Sequence, residues 1–306
     1  MKVMIFILGG MFMRIFVTGA TGFIGSAVVR ELIQAGHHVV GLARSDKAEA
    51  ALKAVGAEAY RGGLDDLDSL HSGAAASDGV IHLAYNHDFS NYAAAAETDR
   101  LAIEAIGSVL EGTDKPFVIT SGTLMVRPGR LGTEEDAPIP GAIRQSEDAA
   151  NALAQRGVRT SVVRLSPSVH GLGDQGFVPA LISIAREKGV SAYVGDGLNC
   201  WPAVHRLDAA LLYRLAIEKG AAGVRYHGVM DEGVPFRAIA AVIGRHLNLP
   251  VISITHEEAG AHFGWLSFAT SAGNPMSSAL TQERLGWRPI HSTLIEDLEE
   301  GHYFAN

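Results

Sequence analysis

The sequence predicts an α/β fold built on a doubly wound parallel sheet, and two observations support this prediction. Short apolar runs alternate with helical patterns between residues 14 and 165. These runs lack strict polar–apolar alternation, which is typical of strands covered by helices on both faces. With 306 residues, 47% of them apolar, the chain is long enough for one large α/β domain or two smaller ones.

The elements follow each other regularly up to residue 165 and less regularly after it. The predicted strands are 14–19, 37–44, 57–63, 79–85, 116–122 and 159–165. The predicted helices between them are 23–36, 47–56, 67–76, roughly 92–110, and 142–157. Beyond Ser166 we expect helices at 176–189, 206–220, 236–247, 257–268 and 277–285, with short strands at 224–230 and 251–255. We therefore expect an extension over 1–12, a sheet domain over 13–165, and a smaller region over 166–306, interleaved with the sheet domain.

Composition and charge exclude several classes of protein. The formal charge is −8 without a basic block, which argues against a nucleic-acid partner. The single cysteine, Cys200, excludes a disulfide framework and fits a reducing compartment. The apolar start has no small-residue cleavage site, and Gly9 and Gly10 interrupt it, so we expect neither a signal peptide nor a membrane helix. Met11 and Met13 are alternative start residues, and a cytoplasmic location is the expectation.

The stretch VTGATGFIG (17–25) carries the first functional signal. Gly19, Gly22 and Gly25 follow a predicted strand and open a predicted helix. In that context Gly19 allows a tight turn, Gly22 lets a pyrophosphate approach the backbone, and Gly25 lets the helix pack on the strand. The N–H groups and the positive dipole end of the helix then face the phosphates. The stretch predicts a dinucleotide site.

The end of the second strand indicates which dinucleotide is bound. NAD-selective sites place a carboxylate about 20 residues beyond the glycine turn, bonded to the ribose 2′-OH. Arg44 and Ser45 stand there instead, and an arginine pairs well with a 2′-phosphate. The prediction is NADP(H). In the alternative, Asp46 binds the ribose of NAD(H) and Arg44 is solvated.

With these motifs the chain resembles the extended and atypical short-chain dehydrogenases/reductases, often labelled NAD-dependent epimerase/dehydratase. TGATGFIG, VIHLAY, VITSGT, VVRLSPSVHG, WPAVHRLDAA and LGWRP occur in the order found in that family. The resemblance covers nearly the whole chain from Arg14. It implies a Rossmann-type sheet domain with a smaller C-terminal substrate-binding region, and a homodimer formed through helices of the sheet domain.

The resemblance also implies most of the cofactor contacts, which lie at the carboxyl ends of the strands. With Arg44 and Ser45 included, the set is Gly19, Thr21, Gly22, Phe23, Ile24, Arg44, Ser45, Leu64, Asp65, Leu83, Ala84, Tyr85, Pro167, Ser168 and Val169. Ser121 matches the family's Ser/Thr that bonds the reacting oxygen. Thr123 falls where related dehydratases place a catalytic side chain.

One central element of the family is missing. The family's Tyr-x-x-x-Lys pair belongs early in the helix after the fifth strand, but here that window reads IPGAIRQSEDAANAL. An alkyl side chain cannot replace a phenol as a general acid, and an arginine does not deprotonate in a protein. Arg144 either bonds the ribose or a substrate oxygen, or it forms a surface pair with Glu147 or Asp148.

Other loops at the same sheet edge therefore have to supply the acid. Tyr85 and His87 follow the fourth strand, and His170 follows the sixth. The candidate catalytic residues are Ser121, Thr123, Tyr85 and His170. The candidate substrate pocket is His87, Arg144, Tyr193, Trp201 and His205, although Trp201 also suits a core position. The 13 histidines are scattered, and those of HEEAGAH are six apart rather than four, so we predict no metal.

The sequence thus predicts an NADP(H)-dependent oxidoreductase that acts on a small carbonyl or alcohol. The missing Tyr and Lys leave a non-catalytic alternative, an NADP(H) sensor or regulatory subunit. A sugar-nucleotide epimerase or dehydratase is a further alternative. The expected partner is a small-molecule substrate, with neither nucleic acid nor membrane.

Overall fold

The computed structural model describes residues 12–86, 91–126 and 129–305. The expected extension lies outside these residues except for Phe12. The strands are β1 (Arg14–Thr18), β2 (His38–Ala43), β3 (Glu58–Arg61), β4 (Gly79–His82), β5 (Pro116–Gly122), β6 (Arg159–Leu165), β7 (Ser168–His170), β8 (Ser191–Val194), β9 (Cys200–His205), β10 (Val224–Gly228), β11 (Asp231–Pro235) and β12 (Val251–Ile254).

The helices connect these strands and cover both faces of the main sheet. They are α1 (Phe23–Gln34), α2 (Asp46–Ala54), α3 (Leu67–Ala75), α4 (Tyr92–Ser108), α5 (Ser146–Gln155), α6 (Phe177–Lys188), α7 (Arg206–Lys219), α8 (Phe236–Leu247), α9 (His256–Phe263), α10 (Ser267–Ser271), α11 (Ala279–Leu285) and α12 (Leu294–Glu299). Within the described residues, no helix has the length and apolar character needed to cross a membrane.

The central sheet confirms the predicted fold class. Its seven strands are all parallel and lie in the order β10-β6-β5-β4-β1-β2-β3. The order reverses between β1 and β4, and ligands of doubly wound sheets bind at such a switch point, beyond the carboxyl ends of the strands. The register there sets Thr18 of β1 opposite His82 of β4.

Two apolar cores hold the helices against this sheet. On one face, α1 and α7 pack together through buried residues such as Val28, Leu32 and Leu212. On the other face, α3, α4 and α5 cover Phe16 and Phe117. Strands β1, β4, β5 and β6 are therefore largely buried, which explains their apolar runs, whereas β3 at the edge of the sheet has no buried residue.

The chain after Ser166 contributes to both parts of the molecule. Strand β10 completes the central sheet by pairing with β6, with Val224 opposite Ser161. Helix α7 covers the same sheet and packs against α1. Strands β11, β9 and β7 form a second sheet, and β12 pairs with β8. A separate core around Trp201 and Phe236 joins α6, α8, α9 and α12 to these strands.

The helix expected over 142–157 is shorter than predicted. Helix α5 begins only at Ser146, after a turn in which Gly141 adopts a φ of 71° and Ala142 N donates to Ile139 O. Strands β8, β9 and β11 were absent from the sequence prediction, because each is short and lies in a region of irregular pattern.

Candidate active site

The glycine turn after β1 has the geometry that its sequence predicts. Gly19 has a φ of 68°, and a Cβ there would lie 2.7 Å from the backbone nitrogen of Ala84. A Cβ on Gly25 would lie 2.0 Å from the carbonyl oxygen of Gly19. Both positions therefore need glycine, because backbone stands where a side chain would begin.

The start of α1 has no side-chain cap. Gly22 is the N-cap residue and provides no side-chain cap, and the first turn has no acidic residue. The first N–H groups of the helix, including those of Phe23 and Ile24, have no partner within the helix. Thr21 lies exposed on the turn. These groups and the helix dipole together favour a phosphate.

The end of β2 presents an unpaired cation. Arg44 is exposed, and no carboxylate among the described residues pairs with it. Ser45 caps α2 by accepting a hydrogen bond from Ala48 N. Asp46, whose side chain is 98% exposed, forms a surface ion pair with Arg61 Nη1, which lies 3.0 Å from its Oδ1. Arg44 is thus the residue of this loop that is open to a further anionic group.

The other predicted cofactor contacts lie around the same edge. Leu64 packs on the core, and Asp65 is exposed beside it. The backbone N–H groups of Leu83 and Ala84 both donate to Thr18 Oγ1, at 3.2 Å each. This bond fixes the end of β4 against the glycine turn.

In the segment after β6, two buried polar atoms, Ser168 Oγ and His170 Nε2, have no hydrogen-bond partner among the described residues. Ser168 is buried, and its hydroxyl has no hydrogen-bond partner within the described part of the chain. It lies between Pro167 and Val169, which are both half-buried. A hydroxyl buried in this way needs a partner, such as an ordered water or a ligand group.

Tyr85 and Arg144 meet at the carboxyl ends of β4 and β5. The Arg144 guanidinium carbon lies 4.2 Å from the centre of the Tyr85 ring, a close cation–π contact. Burial raises the pKa of the Tyr85 phenol, while the Arg144 charge partly opposes that rise. The phenol is therefore protonated at neutral pH, and Tyr92 also contributes to the rise in its pKa.

Arg144 is anchored through two of its three nitrogens. Its Nη2 donates to Thr120 O at 2.9 Å, and its Nε donates to Ser146 Oγ at 2.9 Å. Arg144 and Glu147 do not pair with each other, because Arg144 turns toward β5 while Glu147 faces Arg164. One nitrogen of the anchored guanidinium, Nη1, thus makes no hydrogen bond to the described residues.

Ser121 and Thr123 lie close in sequence, but both are buried away from Tyr85. Arg164 holds the carboxylate of Glu147 at 2.6 and 2.8 Å, and the Ser121 hydroxyl is among the groups that lower the pKa of that carboxylate. Burial favours the neutral carboxyl of Glu147, yet these partners hold its pKa below the usual range. Thr123 Oγ1 is buried without a hydrogen-bond partner among the described residues.

His170 belongs to a separate cluster near the C-terminus. Its ring is fully buried, and its Nδ1 lies 2.9 Å from Asp297 Oδ2. His205 packs against it at 5.4 Å between ring centres and stacks on His291 at 4.8 Å. Asp208 accepts hydrogen bonds from His291 and two backbone N–H groups.

This histidine cluster is a poor chelator in its present arrangement. The rings of His205 and His291 are stacked with an interplanar angle of 17°, and His291 Nδ1 is already hydrogen-bonded to Asp208 Oδ1, although ligand atoms of His205, Asp208 and His291 lie within 4.8 Å of one another. His205 Nδ1 already accepts from Leu207 N. Next to this cluster, Arg206 places its guanidinium carbon 5.0 Å from the centre of the Phe23 ring, at the start of α1.

The remaining pocket candidates are dispersed. Trp201 is fully buried in the core of the C-terminal region and donates its indole N–H to Ala269 O at 2.9 Å. Tyr193 lies on β8, where it pairs with Ser253. His87 lies outside the described residues. Of the candidate pocket, the structure brings Arg144 next to Tyr85 and places His205 at the histidine cluster.

Sequence reasoning did not identify Asp99, His82 and Ser146, which surround Arg144. Asp99 is a carboxylate on an otherwise apolar face of α4. Only 1% of its surface is exposed to solvent. A charged residue among buried alanines and isoleucines is an available signal, since a buried carboxylate needs partners.

Comparison with known proteins identifies relatives along the whole chain. The profile described as "NAD dependent epimerase/dehydratase family" matches residues 15–113. An uncharacterized protein of Schizosaccharomyces pombe is 55% identical over 295 residues, which are 95% of this chain and 100% of the relative. A 2-alkyl-3-oxoalkanoate reductase of Stenotrophomonas maltophilia is 32% identical over 231 residues, which are 71% of this chain and 68% of the relative.

Solved structures share the fold. The dTDP-glucose 4,6-dehydratase DesIV of Streptomyces venezuelae, solved with NAD and TYD bound, matches with a TM-score of 0.75 and 19% identity over 95% of this chain and 97% of that one. The enzyme WbmG of Bordetella bronchiseptica, solved with NAD and UDP, matches with a TM-score of 0.76 and 16% identity over 96% and 94%. At these identities the match concerns the architecture of the chain.

Proposed function

Since the chain belongs to the NAD dependent epimerase/dehydratase family and is an NAD(P)-dependent oxidoreductase of that kind, we propose that it uses NADP(H) to interconvert a small carbonyl compound and its alcohol. The bound nicotinamide supplies or accepts the hydride. The protein binds the dinucleotide, orients the substrate oxygen and transfers a proton.

The described residues fit the cofactor. Gly19, Gly22 and the uncapped start of α1 hold the pyrophosphate, and Arg44 binds the 2′-phosphate. Ser168 offers its buried hydroxyl to the nicotinamide side of the site. The preference for NADP(H) over NAD(H) rests on the exposed, unpaired Arg44 and on the pairing of Asp46 with Arg61.

One observation supports the chemistry above all, the stacking of Arg144 on Tyr85. In the reduction, the phenol of Tyr85 and Nη1 of Arg144 donate hydrogen bonds to the carbonyl oxygen. These two hydrogen bonds polarise the carbonyl group and so favour the addition of hydride to its carbon. As the oxygen becomes an alkoxide, Tyr85 transfers its proton to it, and the fixed charge of Arg144 stabilises the resulting phenolate.

Arg144 thus takes over the electrostatic part of the family's missing lysine. A permanent cation beside a phenol favours its ionised form, as the lysine of the usual pair does. Tyr85 takes the part of the missing tyrosine from β4 instead of from the helix after β5. Ser121 and His170 are secondary candidates, because Glu147 and Asp297 respectively engage their polar groups.

The name of one relative guides the choice of substrates. A 32% identical relative is a 2-alkyl-3-oxoalkanoate reductase, whose substrate carries a ketone next to a substituted carbon. The first test is therefore a panel of aldehydes, simple ketones and 3-oxo acids with NADPH, followed by the loss of nicotinamide absorbance. Turnover that Tyr85→Phe and Arg144→Met each reduce supports the proposal, and turnover unaffected by both changes contradicts it.

A non-catalytic NADP(H)-binding protein is the second candidate. It is favoured by the absence of Tyr and Lys from the window that opens α5, where Ile143 stands 59% exposed. Firm NADPH binding by calorimetry without turnover of any panel member would support this candidate over the reductase.

A further inference from the structure

A continuous hydrogen-bonded chain runs under the proposed catalytic pair. Ser146 Oγ, which accepts from Arg144, donates to Asp99 Oδ2 at 2.5 Å. Asp99 Oδ1 lies 3.2 Å from His82 Nε2, and His82 Nδ1 lies 2.9 Å from Thr18 Oγ1. Asp99, His82, Ser146 and Thr18 are each at most 1% exposed.

The donors and acceptors fix the direction of every bond in this chain. Thr18 Oγ1 already accepts from two backbone N–H groups, so its own proton points at His82 Nδ1. His82 is then the neutral tautomer with its proton on Nε2, which donates to Asp99. Hydrogen bonds from two sides therefore converge on one carboxylate.

Asp99 is the anionic centre on which these groups depend. Burial favours the neutral carboxyl, but His82, Arg144 and Ser146 together hold the pKa of Asp99 below its usual range. Its Oδ2 also lies 3.8 Å from Arg144 Nε. The carboxylate thus balances the guanidinium charge in a place that water does not reach.

We infer that Asp99 is a positioning residue that, through Ser146, holds Arg144 over the Tyr85 ring. The inference rests on the proposed function for its catalytic consequence, though not for its geometry. Through His82 and Thr18, the same carboxylate is bonded to the backbone of Leu83 and Ala84, against which the glycine turn packs. The cofactor loop and the catalytic arginine therefore share one buried anchor.

The first test measures the position of Arg144 without any turnover. In ¹⁵N spectra the Nε–H signal of Arg144, assigned by its loss in Arg144→Lys, is expected to exchange slowly with solvent. Asp99→Asn and Ser146→Ala are each expected to speed this exchange about tenfold or more. Asp99→Asn removes the charged acceptor of the Ser146 hydroxyl, and Ser146→Ala removes the hydroxyl that links Arg144 to Asp99. Glu134→Gln is the control, a buried carboxylate that bonds Thr281 far from this chain.

The second test asks whether Asp99 acts through Arg144. Asp99→Asn is expected to lower kcat about 10- to 100-fold with an unchanged NADPH dissociation constant, since a small displacement of a catalytic group has effects of that size. In an Arg144→Lys background the same change is expected to have almost no further effect. If Asp99 had a purely structural role, the fold losses in kcat from the two single variants would multiply in the double variant.

The outcomes separate this inference from the proposed function. Exchange at Arg144 that is fast in the native protein, or unaltered in both Asp99→Asn and Ser146→Ala, overturns the inference. So do fully multiplying losses in kcat. The native protein could show no turnover while both variants still speed the exchange of Arg144 Nε–H. That result would refute the proposed reductase activity but support the positioning role of Asp99. If Asp99→Asn does not fold, Ser146→Ala serves in both tests.

Discussion

For a single residue, the contacts of the side chain decide its role more than its place in the sequence. Arg144 stands in a window where the family has a different pair, and helical spacing alone offered a surface partner in Glu147. In the structure the turn before α5 directs Arg144 toward Thr120 and Tyr85 instead. A side-chain orientation of this kind depends on contacts across 24 and more residues, which sequence spacing does not reveal.

The two candidate hydroxyls of the site make different predictions. Tyr85→Phe is expected to lower kcat about 10²- to 10⁴-fold, the usual contribution of a general acid, with NADPH binding unchanged. Ser121→Ala is expected to lower kcat less than about tenfold, because Tyr85, and not Ser121, is the proposed proton donor. Steady-state kinetics on the best panel substrate decide between them. A larger loss in Ser121→Ala than in Tyr85→Phe would reverse the assignment of the proton donor.

Arg44 is expected to set the cofactor preference. Arg44→Glu removes a charge-assisted bond to the 2′-phosphate and adds a like charge, so the NADPH dissociation constant should rise at least about tenfold, with that of NADH unchanged or lower. Isothermal titration with both cofactors measures this. Lys53→Glu is the control, a charge reversal in the last turn of α2, the helix that follows Arg44. Equal losses in both variants would mean that only the overall charge matters.

Among the elements, the glycine turn and α1 form one rigid unit. The three glycines could be read from the sequence because they follow a strand and open a helix within nine residues. The close approach of Gly25 to Gly19 O is local, whereas that of Gly19 to Ala84 depends on the distant end of β4. The helix boundaries were predictable where strong periodicity met a terminating residue, as in α8. The small strands β8 and β9 were not, since their pairing depends on distant segments.

Gly25 and Gly260 provide a matched pair for testing this unit. Gly25→Ala would set a Cβ 2.0 Å from Gly19 O, so it is expected to destabilise the fold by about 3 kcal/mol and to abolish NADPH binding. Gly260→Ala, inside α9 with open space around it, is expected to stabilise by up to about 1 kcal/mol. Thermal unfolding with and without NADPH measures both. An unchanged melting temperature in Gly25→Ala would show that the turn relaxes easily.

For the molecule as a whole, the buried titratable groups of the C-terminal region set the pH dependence of stability. Burial, together with the nearby His170 and His291, lowers the pKa of His205 from 6.5 to about 4. Between these values the unfolded chain binds a proton that the folded protein does not, so stability falls as the pH drops from 6.5 to 4. His205→Asn keeps an acceptor for Leu207 N–H and is expected to flatten this slope, as urea unfolding at several pH values can measure.

Asp174 contributes in the opposite direction. Burial raises its pKa from 3.8 to about 6, so the folded protein binds the proton more tightly and gains stability as the pH falls through that window. Asp174→Asn is expected to remove this gain and to raise stability above pH 6, where the native carboxylate is charged. The same urea series tests it, and identical slopes for Asp174→Asn and the native protein would contradict the assignment.

The position of β10 in the central sheet has a consequence for biosynthesis. Strand β6 pairs with β5 on one side and with β10 on the other, and more than fifty residues separate β6 from β10 in the chain. While the ribosome makes that stretch, the outer edge of β6 offers unpaired backbone groups and α1 lacks the helix that covers it. A polypeptide terminated before Val224 would therefore keep this edge exposed and aggregate, so reporters and tags belong at the ends of the full-length protein and not at the junction after β6.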